Sequence, residues 1–214
     1  MGLADIANDI KKVKLPKEKP QEELFGLAGK VASKAGKQAK IGNKFQKEIE
    51  KTCKFYRLQR VAWIQMFYPP TQWIPSNKAV GKPGFLMHVK KTGFDFIGVY
   101  KTKTTKIWTP IFIECKSTEH GRISVGQEDS GIKIHQLEEL TWLEQNGLEA
   151  WIFWQIRGAE FVMYRFTPFQ LMEMIGEKKS LNISDCEEHK IPRMFKVDYK
   201  NELVYDFLDQ LEGW

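Results

Sequence analysis

The chain has 214 residues, 42% hydrophobic and 28% charged, with 33 Lys+Arg against 27 Asp+Glu for a formal charge of +6. Such a length holds one domain with arms and buries a core without disulfides or metals, so one domain is expected rather than two. The longest apolar run, Ala150 to Trp154, is far short of the ~20 residues that cross a bilayer, and the polar start MGLADIANDIKK has no signal-peptide core.

In chain order, residues 1 to 27, with Pro16 and Pro20 among lysines and glutamates, read as a loosely ordered basic arm. From Lys30 to Arg60 ten Lys/Arg face two acids, Glu48 and Glu50, for +8, which leaves −2 for the rest of the chain. The cations recur every three or four residues. Ala28, Ala32, Ala35, Ala39, Gly42, Phe45, Ile49, Cys53 and Tyr56 keep the same spacing on the opposite face. An amphipathic helix is expected here, broken near Gly36 or Gly42. Its stripe, with Lys37, Lys40 and Lys44 in the middle, is either a solvated face or a surface that tracks phosphates, and both readings stand open.

Residues 61 to 68 (VAWIQMFY) predict a strand. Pro69, Pro70, Pro75, Gly81, Pro83 and Gly84 then predict about twenty irregular residues carrying Lys78, Lys82, Lys90 and Lys91. Two strands, Phe94 to Tyr100 and Ile107 to Cys115, form a hairpin across KTKTTK. A polar loop at 120 to 131, which carries Arg122, leads to a helix over Ile132 to Asn146 with Leu137 and Leu140 inward and Gly147 ending it. Strands at Ala150 to Ile156 and Glu160 to Phe166 follow, then a short helix capped by Thr167 with Pro168 at its first position. Trp142, Trp151, Trp154 and Phe166 are expected in the core. Beyond Gly176 only a terminal helix, Leu203 to Leu211, is expected. Cys53, Cys115 and Cys186 form no C-x-x-C pair, and Cys186 with His189 falls short of the four ligands of a structural zinc, so a reduced, zinc-free, cytoplasmic protein is expected.

Asp95 lies in one apolar run and Glu114-Cys115-Lys116 closes the next. Strand alternation points Glu114 and Lys116 the same way, and the hairpin brings Asp95 beside Glu114. Two carboxylates at a hairpin end suit Mg²⁺, which takes oxygen ligands and keeps waters, while a lysine there offsets charge that builds on a phosphate. The tripeptide [DE]-x-Lys alone decides nothing, because the chain has five copies. Of these, Glu114 to Lys116 alone closes an apolar run preceded by another with an embedded Asp. An unpaired acid there costs several kcal/mol, which demands a reason for it. A structural Glu114–Lys116 pair is the bland alternative.

The segments DFIGVY, FIECKST and IHQLEEL resemble the Holliday junction resolvases of the PD-(D/E)XK nuclease superfamily, especially the RecU type, and VGQEDSG is similar to archaeal Hjc resolvases. The likeness runs from about Gly42 to Phe166. It implies a restriction-endonuclease-like α/β core, a mixed sheet of about five strands flanked by helices, spanning 28 to 214 with a stalk-like insertion at about 68 to 92. It also implies Asp95, Glu114 and the Cys115 backbone carbonyl as ligands of Mg²⁺ (or Mn²⁺), Lys116 as catalytic lysine, and Gln136 near the scissile phosphate, with an ordinary surface glutamine as the plainer reading. DNA contacts are expected at Lys37, Lys40, Lys44, Lys90, Lys91 and Arg122. Where the families carry a first-helix acid this chain has Gln46, with Glu50 one turn on. The implied activity is metal-dependent cleavage of four-way junctions by a homodimer in a prokaryotic cell or virus-infected host. Another nuclease of the superfamily and a non-catalytic DNA-binding protein are the alternatives.

Overall fold

The computed structural model describes residues 44–74, 85–88, 92–126, 131–157, 162–176, 178–199 and 202–208. They fall in one unit, Ile41–Trp214. The basic arm, the start of the cationic helix, Lys37, Lys40, Lys90, Lys91 and the tips of the Pro-rich segment lie outside the described residues.

A six-stranded mixed sheet organises the fold. Helix α1 (44–58) buries Phe45, Ile49, Cys53 and Tyr56, the apolar set read from its spacing, and exposes Lys44, Lys47, Lys51 and Lys54. The chain then turns into β1 (Ala62–Met66), and later into β4 (Phe96–Lys101) and β5 (Trp108–Thr118), after the separate antiparallel pair β2 (Thr71–Ile74) and β3 (Phe85–His88). That pair corrects the expectation of an irregular segment: β-branched and aromatic residues between the prolines found a partner strand, and local breakers did not decide. After β6 (Arg122–Ser124), helix α2 (Ile134–Gln145) crosses over to β7 (Glu149–Ile156), followed by β8 (Val162–Phe166), α3 (Pro168–Ile175), β9 (Ser180–Asn182), α4 (Ile183–Glu188), β10 (Arg193–Met194), β11 (Lys196–Tyr199) and β12 (Glu202–Tyr205). The sheet order is β1-β4-β5-β7-β8-β10, with β5 and β7 parallel and the other neighbours antiparallel. Sequence reasoning expected about five strands, and β10, two residues long, is the sixth.

Strand alternation sorts the core into two. Ala62, Ile64, Phe96, Tyr100, Ile111, Ile113 and Cys115 face α1, together with Tyr205 and Phe207 from the chain's end. Ile152, Trp154, Tyr164 and Phe166 face Leu140 and Leu143 of α2 and Leu171 and Met174 of α3. Trp154 is fully buried, and its indole N–H donates to Thr118 Oγ1 at 2.7 Å, satisfying the polar tip as burial requires. Trp142 departs from the core expectation: it stands 60% exposed on the outer side of α2. Trp151 is half-buried beneath the Arg165 guanidinium at 4.6 Å. The predicted terminal helix is also corrected, since Glu202–Tyr205 is a strand paired with Lys196–Tyr199. A short apolar run satisfies both periods, and the neighbouring strand decided between them. The Thr167 cap holds, with its hydroxyl accepting from the Gln170 N–H at 3.2 Å.

Gly98 shows why a glycine sits in the apolar run DFIGVY. A Cβ there would lie 2.1 Å from the Trp63 carbonyl oxygen and 2.5 Å from Ile64 Cα, so β1 approaches β4 only because no side chain intervenes. Gly98→Ala is expected to destabilise the protein by roughly 1–3 kcal/mol, read as a lowered denaturation midpoint with an unchanged m-value. An unchanged midpoint would mean the two strands part without cost.

Candidate active site

Asp95 precedes β4 and its backbone is already locked into the sheet: its N–H donates to the Ile113 carbonyl at 2.8 Å, and its carbonyl accepts from Phe67 N–H at 2.7 Å. The carboxylate turns back on the next strand, where Oδ2 accepts from the Cys115 N–H at 2.9 Å. Gln46 on α1 also hydrogen-bonds this carboxylate. Of the two first-helix positions weighed from sequence, Gln46 therefore meets the site, whereas Glu50 pairs with Lys54 one turn along at 3.0 Å. Upstream, the Gly93 N–H donates to Glu139 of α2 at 2.8 Å, which ties the approach to Asp95 to that helix.

Glu114 and Lys116 project from β5 on one face, as alternation requires. Glu114 is 1% exposed. Its Oε1 pairs with Lys116 Nζ at 2.6 Å and accepts from Gln136 Nε2 at 2.7 Å. Gln136 Oε1 in turn accepts from Lys116 Nζ at 2.9 Å and from the Lys133 N–H at 3.1 Å. Gln136 is thus a buried bridge fixed at three points, and the plainer reading of it as a surface glutamine falls. Cys115 turns its side chain the other way, into the core below α1. Arg122 sits exposed on β6, where its Nε donates to Ser180 Oγ at 2.8 Å.

The electrostatics follow from burial. Glu114 is pushed up from 4.5 to about 8 by desolvation first and the neighbouring Asp95 charge second, against Lys116 and the Gln136 amide. Asp95 is raised as well, by burial, against the Cys115 N–H, Gln46 and Lys116. A cation set between the two carboxylates would offset the burial and mutual repulsion that raise these values and would displace the proton. Glu114 Oε2 is buried and accepts no hydrogen bond within the described residues, a cost of order 1–3 kcal/mol unless something occupies it. These oxygens suit a hard divalent ion. Among the described residues no third His, Cys, Asp or Glu completes a cluster around them, so such an ion would keep several waters, as Mg²⁺ does.

Sequence reasoning missed one part of this neighbourhood. Gln155, 6% exposed on β7, accepts from Ser117 Oγ at 3.0 Å and donates to Glu48 of α1 at 3.2 Å. Glu48 also pairs with Lys196 at 3.1 Å. The network ties the helix that carries Gln46 to the strand that carries Lys116. The signal was present, since Gln155 is a lone polar residue near the end of an apolar strand, the same pattern that singled out Glu114.

The shift at Glu114 fixes a pH dependence for the metal-free protein. The unfolded chain gives up this proton near pH 4.5 and the folded one near pH 8, so in between the folded state binds more protons and each rise in pH disfavours it. The stability is fully present below about pH 4.5 and lost as pH passes 8. In EDTA the melting temperature is expected to fall between pH 6 and 9 by more in the wild type than in Glu114→Gln. Equal falls would contradict the shift.

Residues 40–212 match the family model for Recombination protein U. A solved structure, that of Archaeoglobus fulgidus Hjc, a Holliday junction resolvase from an archaeal hyperthermophile, aligns with TM-score 0.36 and 13% identity over 64% of this chain and 88% of that one. Among curated proteins none matches.

Proposed function

The chain belongs to the Recombination protein U family, and from that premise we propose that it is a metal-dependent endonuclease that resolves four-way DNA junctions. The observation that carries this reading is the juxtaposition of Asp95 with Glu114, whose Oε2 is buried and accepts no hydrogen bond among the described residues, beside a lysine 2.6 Å from its Oε1. A purely structural Glu114–Lys116 pair gives that oxygen no role.

Asp95, Glu114 and the Cys115 carbonyl would hold Mg²⁺, with Mn²⁺ able to replace it. A bound ion of this kind would supply Lewis acidity at the scissile phosphate and a coordinated water more acidic than bulk water, from which the attacking hydroxide would come. The chain's own residues do the rest. The Cys115 N–H and Gln46 orient the Asp95 carboxylate, and Gln136 holds Glu114 by Oε1, which leaves Oε2 for the cation. Lys116, 17% exposed at its side chain, keeps its ammonium at the rim, where it stabilises negative charge that grows on the phosphate. Two symmetric cuts across a junction need two such sites, which a twofold homodimer supplies. The segment around β2 and β3 would reach into the junction centre as a stalk.

Cleavage of a labelled junction in Mg²⁺ or Mn²⁺ but not in EDTA is expected, with cation binding seen independently by calorimetry. Cleavage that persists in EDTA would overturn the metal assignment. The cationic helix makes a separate prediction: replacing Lys37, Lys40 and Lys44 with Ala flattens the salt dependence of DNA binding by roughly 0.9 per lost phosphate contact on a log–log plot. An unchanged slope would return the stripe to a solvated face.

A further inference from the structure

The face of the sheet that carries Glu114 and Lys116 continues, at its other end, into a surface that the reaction does not use. Lys101 donates its N–H to the Val61 carbonyl at 2.7 Å and stands opposite Trp108, which places Val61, Lys101 and Trp108 in one row across three strands. The next row is Trp63, Val99 and Pro110. Farther along the same face, Ile97 and Phe112 are partly buried against the core below α2 and α3, but here Trp63 is 59% and Trp108 50% exposed.

Cations frame these aromatics. Arg57 stacks over Trp63 at 5.2 Å from the ring centroid, and Lys101, Lys103 and Lys106 are exposed at the β4–β5 turn. Lys106 and Arg60 hold φ of 60° and 59°, a left-handed conformation in which glycine is favoured, yet each position carries a cationic side chain. Three acids among the described residues have partners of their own: Glu50 with Lys54 at 3.0 Å, Glu149 with the Trp151 indole at 3.0 Å and Asp206 with the Tyr56 hydroxyl at 2.7 Å.

We propose that this surface is a second DNA-contact site, which grips an arm of the branched substrate away from the carboxylates through Lys101, Lys103 and Lys106, with Trp63 and Trp108 packing against the backbone sugars or an unstacked base. It rests on the junction-cleaving reading. Six steps along β5 lead from Trp108 to Glu114, about 20 Å at ~3.3 Å each, less than the ~34 Å of one duplex turn, so one DNA molecule can span both. Charge complementarity favours a polyanion over a second copy of the chain, because a twofold contact here would press these lysines against their own counterparts.

The test compares wild type with the Lys101→Ala/Lys103→Ala/Lys106→Ala variant and, separately, Trp108→Ala, on a four-way junction and on a plain duplex. Affinity is measured across salt concentrations, and single-turnover cleavage at saturating protein. The triple variant is expected to bind about tenfold or more weakly, with a salt slope lower by roughly 0.9 per lysine, while its cleavage rate at saturation stays that of wild type. Trp108→Ala should also weaken binding. Unchanged affinity and slope on both DNAs would overturn the surface. So would a change confined to self-association in sedimentation, which would assign this face to a second copy. If wild type binds duplex but cuts no junction, the functional reading fails by itself and the surface is still decided by the duplex titration. If wild type binds no DNA, both fail.

Discussion

Glu114→Gln and Asp95→Asn are each expected to lower junction cleavage by at least about a thousandfold, some 4 kcal/mol of transition-state stabilisation at 1.36 kcal/mol per decade, with junction binding retained or tightened. Both substitutions preserve shape and delete charge. Glu114 Oε1 already serves Lys116 and Gln136, so a glutamine there keeps that acceptor and loses the anionic oxygen that accepts no hydrogen bond within the described residues. At position 95 an asparagine still accepts from the Cys115 N–H with its carbonyl oxygen, so the strand ends stay in place. Neither variant should therefore unfold. Calorimetry would show the lost cation binding directly, and cleavage within a few-fold of wild type would remove both acids from the metal.

Lys116→Ala is expected to lower the cleavage rate by about a hundred- to a thousandfold through two separable routes. The direct route is loss of the ammonium that stabilises charge at the phosphate. The indirect one runs through Glu114, whose raised pKa is held down by Lys116; without the lysine the carboxyl protonates more readily, and the cation binds less well at neutral pH. Raising pH and Mg²⁺ concentration together should recover the indirect part alone. Full recovery under those conditions would mean that Lys116 only tunes its neighbour and takes no part at the phosphate.

The site was legible in sequence where a polar residue interrupts an apolar period. Asp95, Glu114 and Lys116 stood out because a buried acid needs a reason, and alternation alone put the last two on one face. The Asp95–Glu114 approach followed from the hairpin. What sequence could not rank was the choice between Gln46 and Glu50, since both lie on one helix face and only the position of α1 over the sheet brings the first to Asp95. Gln136 gave no sign of its triple tether because two of its partners, Glu114 and Lys116, come from a distant strand and the third from the cap at Lys133. In the fold, long periodic elements were readable to within a few residues, whereas β2, β3 and β12 were not. Their pairing is decided by a partner strand, which local propensity does not contain. Trp142 was misplaced for a related reason: a tryptophan on an amphipathic helix goes to whichever side the helix turns, and α2 turns it outward.

The most direct measurement is cleavage of an end-labelled four-way junction in Mg²⁺ beside duplex, flap and single-strand controls, with the cut positions mapped on all four strands. Paired incisions are predicted at symmetric positions on two opposed strands, giving nicked duplexes that ligase seals, with the controls cut far more slowly and nothing cut in EDTA. Duplex or flap cut as fast as the junction would make this a nuclease of different specificity. Tight junction binding with no metal-dependent incision would contradict the account at its centre.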